Sequence, residues 1–220
     1  MHVVVNAAMS ADGKLSTRER EQIAISGPDD FERVDSLRAD SDAVMVGVGT
    51  VLADDPSLTV DSATRIEART DQGKPPQPAR IVADSSLRTP LDARILDDAA
   101  ETILLVSDGV QQTRRDALED DGVTVVTAGE GRVDLRTAFV ELEAMGLDQV
   151  MVEGGGELIF SLFEADLVDE LSVFVGSVVI GGRDAPTLAD GDGFVADFSR
   201  LELRTVERLD DGVLLRYDVQ

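Results

Sequence analysis

Cysteine is absent, and histidine occurs once, at His2. The first absence excludes disulfides, a thiolate nucleophile and zinc–thiolate centres. The second leaves only His2 for a Ser-His-Asp triad and excludes a histidine-rich metal site. Lysine is nearly missing too: Lys14 and Lys74 stand alone, and every other basic residue is arginine. No apolar run approaches the length of a membrane span, and the N-terminus lacks a basic stretch followed by an apolar core and a cleavage site. The expected location is the cytoplasm.

What is abundant is negative charge, with 44 acidic against 20 basic residues and a formal net charge of −24. The acids are scattered over the whole length rather than gathered in a tail. A dispersed acidic surface with almost no lysine reads as a halophilic adaptation, since concentrated salt screens the self-repulsion that dilute buffer would leave in place. The same balance argues against nucleic acid or an anionic membrane as partner, because both require a basic footprint. With 220 residues, 43% of them hydrophobic, the chain has enough material for a substantial core and reads as one domain over residues 1–220.

Periodicity predicts alternating strands and helices. Residues 3–8 (VVVNAA) read as a first strand, interrupted by the polar Asn6, whose amide either bonds a neighbouring strand or faces a ligand. Asp12-Gly13 is a turn signal. SGPDD at 26–30 starts a helix with Pro28 early and acids in its first turn, and Phe31, Val34 and Leu37 are expected to bury one face of it against a sheet. Arg38 follows that stripe, placed either to favour the helix dipole or to reach an anion. Residues 43–48 are apolar and run into GVGTVLADDPSLTV at 47–60, where two glycines bare the backbone to a ligand, or where Thr50 or an Asp caps a short helix. Without a third glycine this is not the dinucleotide fingerprint.

Residues 61–78 are polar, aperiodic and end in KPPQP, so a surface loop is expected. Strands are expected at 80–83, 103–107, 123–127 and 148–152. Helices are expected at 111–120 and along the stripe Leu135, Ala138, Phe139 and Leu142. VEGGGE at 152–157 then leads into a helix marked by Leu158, Ile159, Leu162 and Phe163. Three successive glycines between a strand and a helix N-terminus suit backbone N–H groups facing a phosphate, or close helix-to-strand packing. A strand over 171–180, a glycine-rich loop to about 196 and an alternating C-terminal stretch complete the pattern. The last, with Val213, Leu215, Tyr217 and Val219 on one face, is expected to form an antiparallel hairpin after Asp210-Asp211-Gly212. The fold class is α/β, a mainly parallel central sheet flanked by helices with that hairpin appended.

Taken in order, NAAMSADGKLS, ISGPDDFERVDSLRADSDAVMVGVGTVLADDPSLTV, RIVADSSLRTP, VEGGGELIFSLFEADLVDELSVFVGSVVIGG and APTLADGDGF resemble the reductase family of riboflavin biosynthesis in its stand-alone archaeal and fungal type. The resemblance implies a dihydrofolate-reductase-like fold, a homodimer, and NADPH or NADH as hydride donor. It implies reduction of a ribosylamino-pyrimidinone phosphate to the ribitylamino product. It places cofactor contacts on Ala8, Thr50, Asp54, Ser85 and the turn Gly154, Gly155, Gly156 and Glu157. Substrate contacts fall on Arg38, Leu58 and Glu153, with Asn6 and Lys14 beside them, and no metal is implied. Relatives that carry an additional deaminase often have arginine after the LTV motif to hold the substrate phosphate, where this chain has Asp61. Positive charge must then come from Arg38, with Lys14, Arg65 or Arg88. Glu153, Lys14, Asp54 and water are the candidates for moving protons. The rival readings are another reductase of the same fold such as dihydrofolate reductase, a non-catalytic nucleotide-binding domain, and an acidic interaction module.

Overall fold

The computed structural model describes residues 1–21 and 23–220. Its contacts divide the chain into two compact units, one of residues 1 and 35–150, the other of residues 2–34 and 151–220. Strands and helices are numbered in chain order. The first unit holds β2 (Ala43–Gly47), α2 (Val48–Asp54), α3 (Ala63–Asp71), β3 (Ala79–Ala83), β4 (Thr102–Val106), α4 (Gln112–Asp120), β5 (Thr124–Thr127) and α5 (Leu135–Ala144). The second holds β1 (His2–Ser10), α6 (Gly156–Glu164), β7 (Glu170–Gly176), β8 (Leu201–Leu209) and β9 (Gly212–Val219). The division falls within α1 (Pro28–Asp40) and within β6 (Gln149–Gly154).

In the first unit the strands lie in the order β5-β4-β3-β2, all parallel. Their sequences are near-continuous apolar runs because both faces are covered. Val44, Val46, Val82, Leu104, Val106 and Val125 join Val51, Leu87, Ile95 and Leu118 in one buried cluster on one face. The stripe Leu135, Ala138, Phe139 and Leu142 is buried along α5 as its spacing predicts. Full burial of Leu135, Phe139 and Leu142 contributes about 1.5–3 kcal/mol each and fixes which face of this helix meets the core. In the second unit the order is β6-β1-β7-β9-β8. β1 and β7 run parallel with Asn6 opposite Ser172, whereas β7, β9 and β8 are antiparallel, so the expected hairpin is present.

Four sequence expectations are corrected. Phe31, Val34 and Leu37 do not anchor α1: Phe31 is 61% exposed and the other two are half-buried, while Asp30 and Asp35 are buried. The helix is held by ionic and polar bonds, to which an apolar-period reading is blind. Residues 61–78 are not simply a loop, since α3 lies within them. It packs through Arg69, which is 3% exposed and donates to the carbonyls of Ala39, Ser41 and Pro75. Thr50 does not cap α2 but lies inside it; the N-cap is Gly47, without a side-chain bond, and the Asp that caps the helix is Asp55 at its C-terminus, through its backbone amide to the Val51 carbonyl. The strand expected over 171–180 stops at Gly176, where a Cβ would meet the Ile25 carbonyl at 2.4 Å. Among the described residues no helix is long and apolar enough to cross a membrane.

Candidate functional site

Thr50, Asp54 and Ser85 follow the carboxyl ends of the parallel strands β2 and β3, where open α/β sheets seat ligands. Arg38, by contrast, lies ahead of β2, and Val60, two residues after Leu58, is bonded to Gln77 just ahead of β3. Gly47 ends β2 opposite Ala83 of β3, so α2 and the segment after β3 start side by side. Thr50 and Asp54 are four residues apart on α2 and share a face, both half-buried. A Cβ at Gly49 would project into open space, which leaves that backbone accessible. Leu58 has φ +52° and, at 2% exposed as a whole residue, sits within the buried cluster. Arg38 reaches the same segment, its Nη1 donating to the Thr59 carbonyl at 2.9 Å.

The neighbouring charges sort themselves by partner. Asp35 accepts from the Asp61 and Ser62 amides at 2.6 and 3.3 Å and from Arg65 Nη1 at 2.8 Å, which settles the start of α3. Arg65 is thereby tied to a carboxylate, and Arg88 is exposed. Of the basic residues considered for a phosphate in this unit, Arg38 is the one brought onto the Leu58 segment. Asp61 itself is exposed.

Ser85 follows β3. Its Oγ accepts from the Val133 amide at 3.0 Å, and its carbonyl accepts from Ser107 Oγ at 2.8 Å. Beside it lies a pocket of 430 Å³ lined in part by Ser85, Ser86, Ser107, Gly109 and Arg114. Arg114 donates Nε to the Leu87 carbonyl and Nη2 to the Thr89 carbonyl, so its guanidinium is rigidly placed. A second pocket, of 400 Å³ between Phe163, Phe198 and Val219, contains none of the candidate residues.

In the second unit Asn6 and Ala8 lie on one face of β1 by strand alternation. β6, which adjoins β1, ends in Glu153 and Gly154. Glu153 is half-buried, and Glu157 is exposed in the first turn of α6. The glycines there divide by role. Gly154, at φ +134°, has open space where a Cβ would stand and suits a ligand lying on bare backbone. Gly155 is the N-cap of α6. At Gly156 a Cβ would meet the Thr187 carbonyl at 2.4 Å and Asp190 Oδ2 at 2.9 Å, so close packing explains this one.

The turn after β1 is tied to residues 178–187. Asp12 accepts from Ser10 Oγ at 2.6 Å, the Ile180 amide at 3.0 Å and the Gly181 amide at 2.7 Å. These bonds, the Ser10 hydroxyl foremost, hold its carboxyl at about 2, below the ordinary 3.8. Lys14 Nζ donates to the Ala185 carbonyl at 2.9 Å. Sequence reasoning missed Arg33, which donates to Asn6, Ser172 and Asp30. The one available signal was its i,i+3 spacing from Asp30. Arg114 carried no local signal at all.

A mostly parallel α/β sheet with an antiparallel hairpin, and with bare glycine backbone and polar side chains at its strand ends, defines a class of small-ligand-binding α/β domains. Within that class, the chain belongs to the RibD C-terminal domain family, whose pattern matches residues 1–215. Among its relatives is a protein of Archaeoglobus fulgidus named 2,5-diamino-6-ribosylamino-4(3H)-pyrimidinone 5′-phosphate reductase. It is 45% identical over 216 residues, 96% of this chain and 94% of that one. A protein of the same name from Methanothermobacter thermautotrophicus is 42% identical over 221 residues, 100% and 98% of the two chains. The solved structure of Acinetobacter baumannii RibD matches with a TM-score of 0.83 at 28% identity, covering all of this chain and 58% of that one.

Proposed function

We propose that this chain is the stand-alone reductase of riboflavin biosynthesis, converting 2,5-diamino-6-ribosylamino-4(3H)-pyrimidinone 5′-phosphate to its ribitylamino product. The observation that carries this reading is end-to-end similarity, at 42 to 45% identity, to relatives that bear that name and cover little beyond it.

A bound nicotinamide cofactor supplies the hydride. The residues proposed to hold it in the first unit are Thr50, Asp54 and Ser85, and in the second Ala8 and Gly154 to Glu157. Open space at Gly49 and Gly154 supports this, because backbone bare of Cβ admits a flat, charged ligand. The serine hydroxyls and Arg114 beside Ser85 suit a phosphate ester and favour NADPH over NADH. For the substrate, Arg38 and Leu58 are assigned in the first unit, and Asn6, Lys14 and Glu153 in the second.

The chemistry asks the side chains mainly for placement. The substrate nitrogen expels the ribose ring oxygen and loses its proton, the freed oxygen gains one, and an imine forms at C1′. Hydride at C1′ and a proton at nitrogen complete the reduction. Holding the reacting carbons about 3–3.5 Å apart and excluding water does most of the work. Glu153 serves mainly to position the substrate, proton movement being shared with water and without an indispensable acid, and Lys14 anchors anionic oxygen. Exposed Leu201, Leu203 and Val206 on the edge strand β8 support assembly with a second copy of the chain.

The test is an anaerobic assay in molar salt with fresh pyrimidine substrate and each cofactor, following absorbance loss and product mass. A mass gain of two hydrogens with NADPH is expected. Turnover of dihydrofolate instead would select the rival reductase, and cofactor binding without turnover the non-catalytic reading.

A further inference from the structure

The side-chain amide of Asn6 is held in one orientation by a partner that can only donate. Arg33 Nη2 approaches Asn6 Oδ1 at 2.8 Å, while its Nη1 reaches Ser172 Oγ at 3.2 Å and its Nε reaches Asp30 Oδ1 at 2.8 Å. A guanidinium carries no acceptor, so the amide oxygen must face it and the NH2 must face away. Arg33 cannot swing aside, because its ion pair with Asp30 is buried: the two side chains are 12% and 2% exposed. Asp30 is itself fixed, since α1 starts against the Asp210 carboxylate, which accepts from the Asp29 and Asp30 amides at 3.2 and 3.0 Å.

The outward NH2 is left with no hydrogen-bond partner among the described residues, although Asn6 as a whole is 5% exposed. Among those residues the one fully enclosed side-chain polar atom without a partner is Asp84 Oδ1. The Asn6 nitrogen is therefore not sealed in the core but opens onto accessible space, on the β1 face shared with half-buried Ala8. A charged donor on the amide oxygen also polarises the opposite N–H bonds and strengthens them as donors.

We infer that Arg33 is a positioning residue which locks the Asn6 amide with its NH2 outward, as a donor to an acceptor oxygen of the pyrimidine substrate. This rests on the reductase reading above. It specifies the polarity of recognition: a substrate analogue with a donor at that point meets a donor and is rejected.

The test is steady-state kinetics of the intact chain with Asn6→Asp, Arg33→Met and Arg33→Lys, with thermal stability measured alongside. Asn6→Asp keeps an oxygen toward Arg33 and turns the outward donor into a negatively charged acceptor. It should raise KM for the pyrimidine at least tenfold, leaving kcat and the cofactor KM within about twofold of wild type. Arg33→Met frees the amide to turn and strands buried Asp30, so it should lower stability and raise the pyrimidine KM while the cofactor KM and kcat stay within about twofold; Arg33→Lys, again only a donor, should restore the pyrimidine KM in part. Wild-type pyrimidine KM in Asn6→Asp or in Arg33→Met overturns the inference. So do losses in which pyrimidine KM, cofactor KM and stability all worsen together, the mark of a purely structural role. A wild-type chain with no turnover of the pyrimidine overturns the reductase reading and this inference with it; wild-type turnover beside an unaffected Asn6→Asp overturns the inference alone.

Discussion

Asp12 illustrates how one carboxylate can organise a loop from the solvent side. Its two oxygens take the Ser10 hydroxyl and two amides of the segment carrying Gly181, and its carboxyl is thereby held at about 2 against an ordinary 3.8. A group depressed on folding contributes stability above its unfolded value and loses it as pH falls through the folded one. Residues 178–187 should keep their hydrogen-exchange protection at pH 4 and lose it toward pH 2, and Asp12→Asn should lower the protection at pH 4. Protection independent of both pH and substitution would show that other contacts hold the loop. At Glu153 the expectation is kinetic. If placement dominates, Glu153→Gln should retain substrate affinity and slow single-turnover reduction by less than about tenfold, below the 10²–10⁴ typical of a general acid. A rapid-quench measurement decides.

Among the elements, α1 and α3 are held by polar bonds where an apolar stripe was expected or where no helix was expected. The amides at the start of α1 are capped from the turn between β8 and β9 by Asp210, so closely that a Cβ on Gly27 would meet its carboxylate at 2.6 Å. Asp210→Ala should cost about 1 kcal/mol, the usual worth of an N-cap, in urea unfolding. For α3 the anchor is Arg69, whose burial lowers its pKa against the opposing pull of Asp42 and Asp40. Arg69→Met would leave three carbonyls without their donor and should cost about 2–3 kcal/mol at roughly 1 kcal/mol per bond. A loss well under 1 kcal/mol would mean that water replaces the guanidinium. Where the anchor was apolar, as in α5 with Leu135, Ala138, Phe139 and Leu142, the periodicity read correctly.

At the scale of the whole molecule the dominant quantity is a net charge of −24. Spread over the surface, it opposes the compact state unless counter-ions screen it. The Debye length falls from about 10 Å at 0.1 M salt to about 3 Å at 1 M. The melting temperature should therefore rise between 0.1 and 2 M KCl and, compared at equal ionic strength over the first part of that range, as steeply in chloride as in sulfate if screening is the cause. A flat or falling curve in differential scanning fluorimetry would remove the case for a halophilic surface.

The sequence by itself determined the α/β class, most of the parallel strands, α5 and α6, and the family, because apolar periodicity and ordered motifs are local properties of the chain. It also named the glycines of VEGGGE, without telling the open space beside Gly154 from the tight packing at Gly156. Only the tertiary structure decided that Leu58 is buried in the core, that Arg65 is tied to Asp35 while Arg38 reaches the Thr59 carbonyl, and that Arg33 fixes the Asn6 amide. Each of these is a hydrogen bond or burial between residues distant in the chain. Such pairings depend on direction and distance in space, which no local spacing of residues encodes.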